Sequence, residues 1–331
     1  MVDKGFTFEL ITADDAGSWN NIINTFSWNN VFQSYQWGEI KREYGWRPVR
    51  AVAKNGEGKV VCASQVLFKK KLGCLVGWVP GGPLFRNDPG YRNGVIFFLN
   101  QLDREKTILK YLRIYPMTPL KDEDARLLSS EGWNRPGTGF HKSLTVMVNL
   151  DENMDVIKNR LKRKWNYNLR RSDTFKHRFD ILNDDNQLSV FIEEHGKMRG
   201  IKGFKDNFDL KELKIMKEKL KDDLFVFTTY ENNTFSSGRI MARFMNTACE
   251  LKAVTTERGR KTRASYFCLW EAIKFLKAKG CKRLDMGGVD PEENPGVTLF
   301  KRGVGGEDIR WLGEWEKSNN KLFGKLINRL L

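Results

Sequence analysis

The sequence predicts an α/β (α+β) protein made of two tandem copies of one unit, each a mixed sheet flanked by helices. Two observations carry this. The order strand, strand, strand, helix, strand occurs twice with similar spacing, although the halves share negligible identity, and such recurrence points to a duplicated unit. The 331 residues, 40% of them hydrophobic, also supply core material for two domains more readily than for one.

Each element has its own warrant. RPVRAVAKNGEGKVVCASQVLF reads as two strands around an Asn55-Gly56 turn, LGCLVGWV as a third, PGYRNGVIFFLNQLDREK as a helix, and TILKYLRIYP as a strand ended by a proline. In the second half DLFVFTTYENNTFSSGRIMARF gives two strands around Asn232-Asn233, and ACELKAVTT gives a further strand. RASYFCLWEAIKFLKAKG is a helix closed by Gly280, and CKRLDMGG is a strand. Helices such as VFQSYQWGEIKREYG and NQLSVFIEEHGKMRG precede each hairpin, and the whole order is that of the GCN5-related N-acetyltransferase fold. The boundary is expected near Leu150, where TVMVNL gives way to DENMDVIKNRLKRK, so that residues 1–150 form the first unit and 151–309 the second. Residues 310–331 are expected to pack back on the first.

Charge narrows the partners. Lys and Arg number 57 against 41 Asp and Glu, a formal balance of +16 that suits polyanions: nucleic acid, acidic headgroups or phosphorylated substrates. Nine of the basic residues fall between Lys158 and Arg178, where Asp173 is the one acid. Lys162, Arg163, Lys164, Arg170 and Arg171 interleave there with Trp165 and Tyr167, which fits a phosphate-binding surface with stacking rings. It fits equally a solvated helix face whose aromatics pack inward.

Five scattered cysteines suit buried free thiols in a reducing compartment, and His141, His177 and His195 lack zinc-site spacing, so neither disulfide nor metal is expected. No uncharged apolar run approaches the roughly 20 residues of a membrane span, and the N-terminus lacks the apolar core of a secretory signal. A cytoplasmic protein is expected, with the inner membrane face as an option. That option comes from KSNNKLFGKLINRLL, which puts Leu322, Phe323, Leu326, Ile327 and Leu330 on one helical face and cations over the other. The same pattern suits a terminal helix packed on the first unit.

Four stretches, FQSYQWGEIKREYGW, LKRKWNYNLRRS, LWEAIKFLKAKGCKRLDMGG and LFKRGVGG, resemble the Fem family of peptidoglycan-bridge aminoacyltransferases across nearly the whole chain. The resemblance implies two acetyltransferase-like domains and transfer of an amino acid from aminoacyl-tRNA to a stem peptide, by a monomer without cofactor. The acceptor would be a nucleotide- or lipid-linked muramyl peptide or a related glycan precursor. HGKMRGIKGFKDNFDLKELKIMKEKLKDD is too short for the coiled-coil arm of larger members, so the chain is similar to the compact, armless type.

By the same resemblance Lys301 is the catalytic lysine, a cation beside the oxyanion that forms when an amine attacks the ester. It is expected to lie exposed in a cleft between flexible glycine loops. Lys41, four residues after Trp37 and on its helical face, matches a lysine that contacts the nucleotide-sugar part of the acceptor. Arg113, Lys202 and Phe300 join them as substrate-binding residues. Where compact members have an acid before the proline of LRIYP this chain has Tyr115, which joins Lys301 and Asp285 as a catalytic candidate, and Lys110 stands at their nearby tyrosine, so the general base is open. Asp285 and Asp290 are substitutes, although Asp285 could serve only to fix its loop.

Acyl-CoA transfer is the competing chemistry of the fold. Its pyrophosphate turn needs spaced glycines at a helix start, whereas ERGRKTRA has Gly259 alone among Arg258, Arg260, Lys261 and Arg263. Those four cations suit tRNA phosphates better. A non-catalytic nucleic-acid-binding protein accounts for the charge but not for LDMGG and LFKRGVGG.

Overall fold

The structure, a computed structural model, describes residues 5–12, 15–71, 73–86, 90–104, 109–182, 184–202, 208–318 and 327. The chain divides into two compact units, one of residues 1–143 and 310–331, the other of residues 144–309.

In the first unit the strands are β1 (Phe6–Ile11), β2 (Arg47–Asn55), β3 (Val60–Lys71), β4 (Cys74–Val79), β5 (Leu84–Phe85) and β6 (Leu109–Ile114). Strands β1 to β4 are antiparallel neighbours in chain order, and β5 pairs with β3. β4 and β6 run parallel, so the chain must cross over between them, and α3 (Tyr91–Arg104) makes the crossing after α1 (Ala16–Asn24) and α2 (Tyr35–Arg42). α2 begins at Ser34, whose hydroxyl accepts the Trp37 amide at 3.2 Å and so satisfies one of the helix's orphan donors. The helix α4 (Asp122–Ser130) follows β6.

The second unit repeats the plan. Its strands are β7 (Leu144–Asn149), β8 (His177–Ile181), β9 (Leu224–Glu231), β10 (Thr234–Phe244), β11 (Thr247–Thr255), β12 (Arg283–Gly288) and β13 (Glu307–Arg310), ordered β13-β7-β12-β11-β10-β9-β8. Asn232 and Asn233 both take positive φ, 48° and 59°, the two-residue turn whose twist matches a hairpin. The helices are α5 (Met154–Arg160), α6 (Arg163–Ser172), α7 (Asp185–Lys202), α8 (Leu210–Leu220), α9 (Glu257–Lys261), α10 (Ala264–Ala278) and α11 (Pro295–Gly303). α10 crosses over between the parallel pair β11 and β12, and its Leu269, Ile273 and Leu276 are buried with Phe227, Met241 and Trp165 in one core. From His195 to Leu220, the stretch read as too short for an arm, the described residues hold the C-terminal end of α7 and the 11-residue α8.

The division at Ser143 and Leu144 lies ahead of the expected boundary near Leu150. Leu144–Asn149 pairs antiparallel with β12, so TVMVNL opens the second sheet instead of ending the first.

The chain then returns to the first unit as β14 (Trp315–Ser318), antiparallel to β6. Just before it, Glu314 pairs with Arg113 and accepts the backbone amides of Phe140 at 3.1 Å and His141 at 2.8 Å. Arg113 has no exposed surface, and it also meets the Thr138 carbonyl at 2.7 Å and the Phe140 ring at 3.9 Å. Arg113, expected to bind substrate, is therefore a buried tie across 201 positions of chain with no face to offer a ligand. Of the terminal helix expected over KSNNKLFGKLINRLL, Lys317 and Ser318 instead end β14 and Ile327 is buried with Val76 and Tyr111, while the rest falls outside the described residues. No helix among the described residues is long and apolar enough to cross a membrane.

Burial pushes the Glu314 carboxyl upward, but His141 and Arg113 outweigh it and hold the group below its ordinary value of 4.5. Its contribution to stability is then complete above pH 4.5 and is lost as pH falls through the lower folded value. Glu314→Gln should cost roughly 3–5 kcal/mol at neutral pH by leaving Arg113 without a counter-ion. Urea unfolding at pH 7 and pH 4 checks both points, with a smaller acid-induced loss expected in the variant than in the wild type.

Candidate active site

β11 and β12 are paired only over Thr247–Cys249 and Arg283–Asp285. From Glu250 onward β11 continues without β12, whose register with β7 also shifts after Asp285. The strands part at Gly287, which takes φ +71°, and a side chain there would meet the Glu250 carbonyl at 2.9 Å. Only glycine fits both constraints.

Lys301 reaches this parting from α11, a helix opened by Pro295. Its Nζ donates to the carbonyls of Gly288 at 3.2 Å and Gly287 at 3.4 Å, and lies 3.5 Å from Glu250 Oε1. Glu250 is also paired with Arg239, and the Arg239 guanidinium sits 5.1 Å from the centre of the Phe300 ring. Phe300 in turn meets Tyr266 edge-on at 5.0 Å and Trp165 at 6.1 Å. Asp285 Oδ1 accepts the Gly287 amide at 2.8 Å and the Thr145 hydroxyl, bracing the turn whose carbonyls hold Lys301. Burial raises the Asp285 carboxyl above its usual range, against the pull of those two hydrogen bonds and of Lys301.

The structure thus gathers Lys301, Phe300 and Asp285 at one place. Lys301 differs from its expected setting: it stands on a helix and its side chain is only 11% exposed. The reason is that Glu250 and two carbonyls hold its charge inside. Asp290 stands on the following loop, where its carboxylate accepts the amides of Glu292 and Glu293.

Lys41, Trp37 and Tyr115 belong to the first unit. Lys41 Nζ lies 5.1 Å from the centre of the Trp37 ring and 5.7 Å from that of Tyr44, while Trp37 itself is buried against Phe32. Tyr115 is buried, donates its hydroxyl to the Lys142 carbonyl at 3.0 Å and stacks on His141. Lys202 ends α7, and its side chain lies outside the described residues.

The basic stretch splits by direction. Trp165 is buried, whereas Tyr167 is 52% exposed and Lys162, Arg163, Lys164, Arg170 and Arg171 all face solvent. No carboxylate among the described residues pairs with those five. In the second basic loop Arg258 is paired with Glu231 and Lys261 with Glu257, while Arg260 and Arg263 donate to the carbonyls of Thr255 and Arg260. Gly259 serves packing, since a Cβ there would fall 2.0 Å from the Ser236 carbonyl oxygen. The Lys162 amide donates to the Gly303 carbonyl at 2.9 Å, so the basic helix starts where the Lys301 helix ends. Among the described residues no group of three or more His, Cys, Asp or Glu is placed to hold a metal ion.

Residues 194–330 match the FemAB family. Over that segment the chain is similar to Fem-family proteins. FemX superposes with a TM-score of 0.81 at 17% identity, over 97% of this chain and 100% of that one. A tandem GNAT protein from the clavulanic acid biosynthesis pathway follows at TM-score 0.58 and 12% identity, covering 95% of this chain and 99% of its own. L-PGS from Bacillus licheniformis gives 0.55 and 14%, covering 97% and 98%. These likenesses identify the fold as a tandem GNAT arrangement. No curated protein matches the sequence.

In this chain the residues that sequence reasoning missed are Arg239 and Glu250. Their signal was available: each is a charge inside an apolar strand run, SSGRIMARF and ACELKAV, and charged residues are seldom buried unless paired. Glu250→Gln should strip the counter-charge from both Arg239 and Lys301 and cost about 3–5 kcal/mol. Lys301→Met leaves Glu250 paired with Arg239, so a clearly smaller shift in urea unfolding midpoint is expected. Equal losses in the two variants would remove Glu250 as the hub.

Proposed function

We propose that this chain is an aminoacyltransferase that moves an amino acid from aminoacyl-tRNA to an amine of a peptidoglycan precursor stem peptide, forming a peptide bond. The observation that carries the donor assignment is the unneutralised basic face of α6, joined at Lys162 to the helix of Lys301. Five solvent-facing cations without carboxylate partners suit a polyphosphate backbone, and each phosphate contact releases counterions. The turn that a CoA pyrophosphate would need is replaced by a basic helix whose one glycine is occupied by packing.

The chemistry follows from the parting of β11 and β12. A neutral acceptor amine attacks the ester carbonyl, a C–N bond forms, and negative charge collects on the carbonyl oxygen. Collapse breaks the bond to the ribose oxygen, which takes up the proton that the amine gives away. Lys301 already spends two of its hydrogen bonds on fixed carbonyls, and the looser 3.5 Å contact with Glu250 is the one an oxyanion would replace. Held this way the ammonium needs little reorganisation as charge develops. Lys41, beside the Trp37 and Tyr44 rings, is assigned to the phosphates of the nucleotide-linked acceptor.

Purified protein incubated with charged tRNA, or with acetyl-CoA, and a nucleotide-linked muramyl pentapeptide should transfer only from the tRNA. Transfer from acetyl-CoA alone would overturn the donor assignment in favour of CoA-dependent acylation. Lys301→Ala should lower kcat about a hundredfold or more with the acceptor KM little changed. Lys41→Ala should do the reverse, raising the acceptor KM while kcat holds.

A further inference from the structure

Tyr167 is a large aromatic side chain left half in water, on a helix whose other rings and aliphatics turn inward. On a helical surface its neighbours are the residues three and four positions away. All four of them, Arg163, Lys164, Arg170 and Arg171, are basic and exposed. Arg171 Nη1 lies 3.4 Å from the Tyr167 hydroxyl, and Arg263 at the start of α10 adds its field from the adjoining element. Such a ring of like charges repels itself, so the fold does not gain from it unless an anion is present.

Resting on the aminoacyl-tRNA assignment above, we propose that Tyr167 is a stacking platform for an unpaired base at the single-stranded end of the RNA donor, with the surrounding cations on its phosphates. An exposed ring among cations has little use for duplex RNA, whose bases are already stacked and paired, whereas a single strand offers both a π-face and a phosphate at each nucleotide. A membrane surface fits less well. The apolar side chains of α6, Trp165 and Leu169, are buried in the core, which leaves one ring and no apolar stripe to enter a bilayer. The position suits a route to the catalytic lysine, because Tyr167 lies roughly 7 Å along the helix axis from Lys162, where α6 meets the end of α11.

The test is fluorescence anisotropy with the full chain and two labelled RNA hairpins, one blunt and one with a short single-stranded 3′ overhang. Wild type should prefer the overhang. Tyr167→Ala should weaken overhang binding about tenfold and leave blunt-end binding and its salt dependence alone, because stacking is lost and the charges remain. Tyr167→Trp should keep the preference, and Arg171→Gln should weaken both RNAs and flatten the salt dependence. Unchanged overhang binding by Tyr167→Ala, with wild type binding RNA normally, would overturn the stacking role and leave the tRNA assignment standing. Failure of wild type to bind either hairpin would overturn both, and binding to anionic vesicles in place of RNA would reassign the face to a membrane.

Discussion

The second unit is organised around one buried carboxylate. Glu250 sits where β11 loses β12, and it must answer two cations, Arg239 from the neighbouring strand and Lys301 from a helix about fifty residues downstream. Burying three charges is unfavourable unless each has a partner and its hydrogen bonds are met. That requirement fixes much of what surrounds it. Phe300 gives Arg239 an aromatic face, the Gly287 turn supplies carbonyls to Lys301, and Asp285 with Thr145 holds that turn in shape.

The two units share a plan but differ at the parallel pair. In the first, β4 and β6 stay paired up to Val79 and Ile114, and the Tyr115 amide goes on to bond the carbonyls of Val79 and Gly82. In the second, the corresponding pairing stops after three residues. An unpaired stretch of backbone inside a sheet is costly, and it persists where side chains or a ligand take up the freed groups. The plan therefore occurs as two frames, and Glu250, Lys301 and Asp285 gather in the one whose parallel strands part.

Much of the frame was legible because its determinants are local. Alternation, an Asn-Asn turn and a helix of sustained apolar period locate the two hairpins and the two crossover helices without any knowledge of what packs where. LFKRGVGG was read as a flexible loop because of its glycines, yet Pro295 at the first helical position and Gly303 at the last are the punctuation of a short helix. The burial of Lys301 was out of reach, because its partner Glu250 is remote in sequence. TVMVNL was assigned to the first unit for a similar reason: a strand's pattern states that it pairs, and only the assembled sheet states with which neighbour. Trp165 and Tyr167 show the remaining gap. One ring packs inward and the other stays in water, and helical phase separates them.

The crossing of the chain back into the first unit has a consequence for how the molecule is made. A ribosome delivers residues 1–143 before anything that follows, but β6 then has an open edge and Arg113 lacks Glu314, which is synthesised last of the interacting pair. Residues 144–309 form a continuous segment with their own core and wait for nothing downstream. Chain connectivity alone thus reverses the usual vectorial order, in which the N-terminal domain is finished first. The younger half of the polypeptide can close while the older half is held incomplete, and β14 seals a sheet begun about three hundred residues earlier.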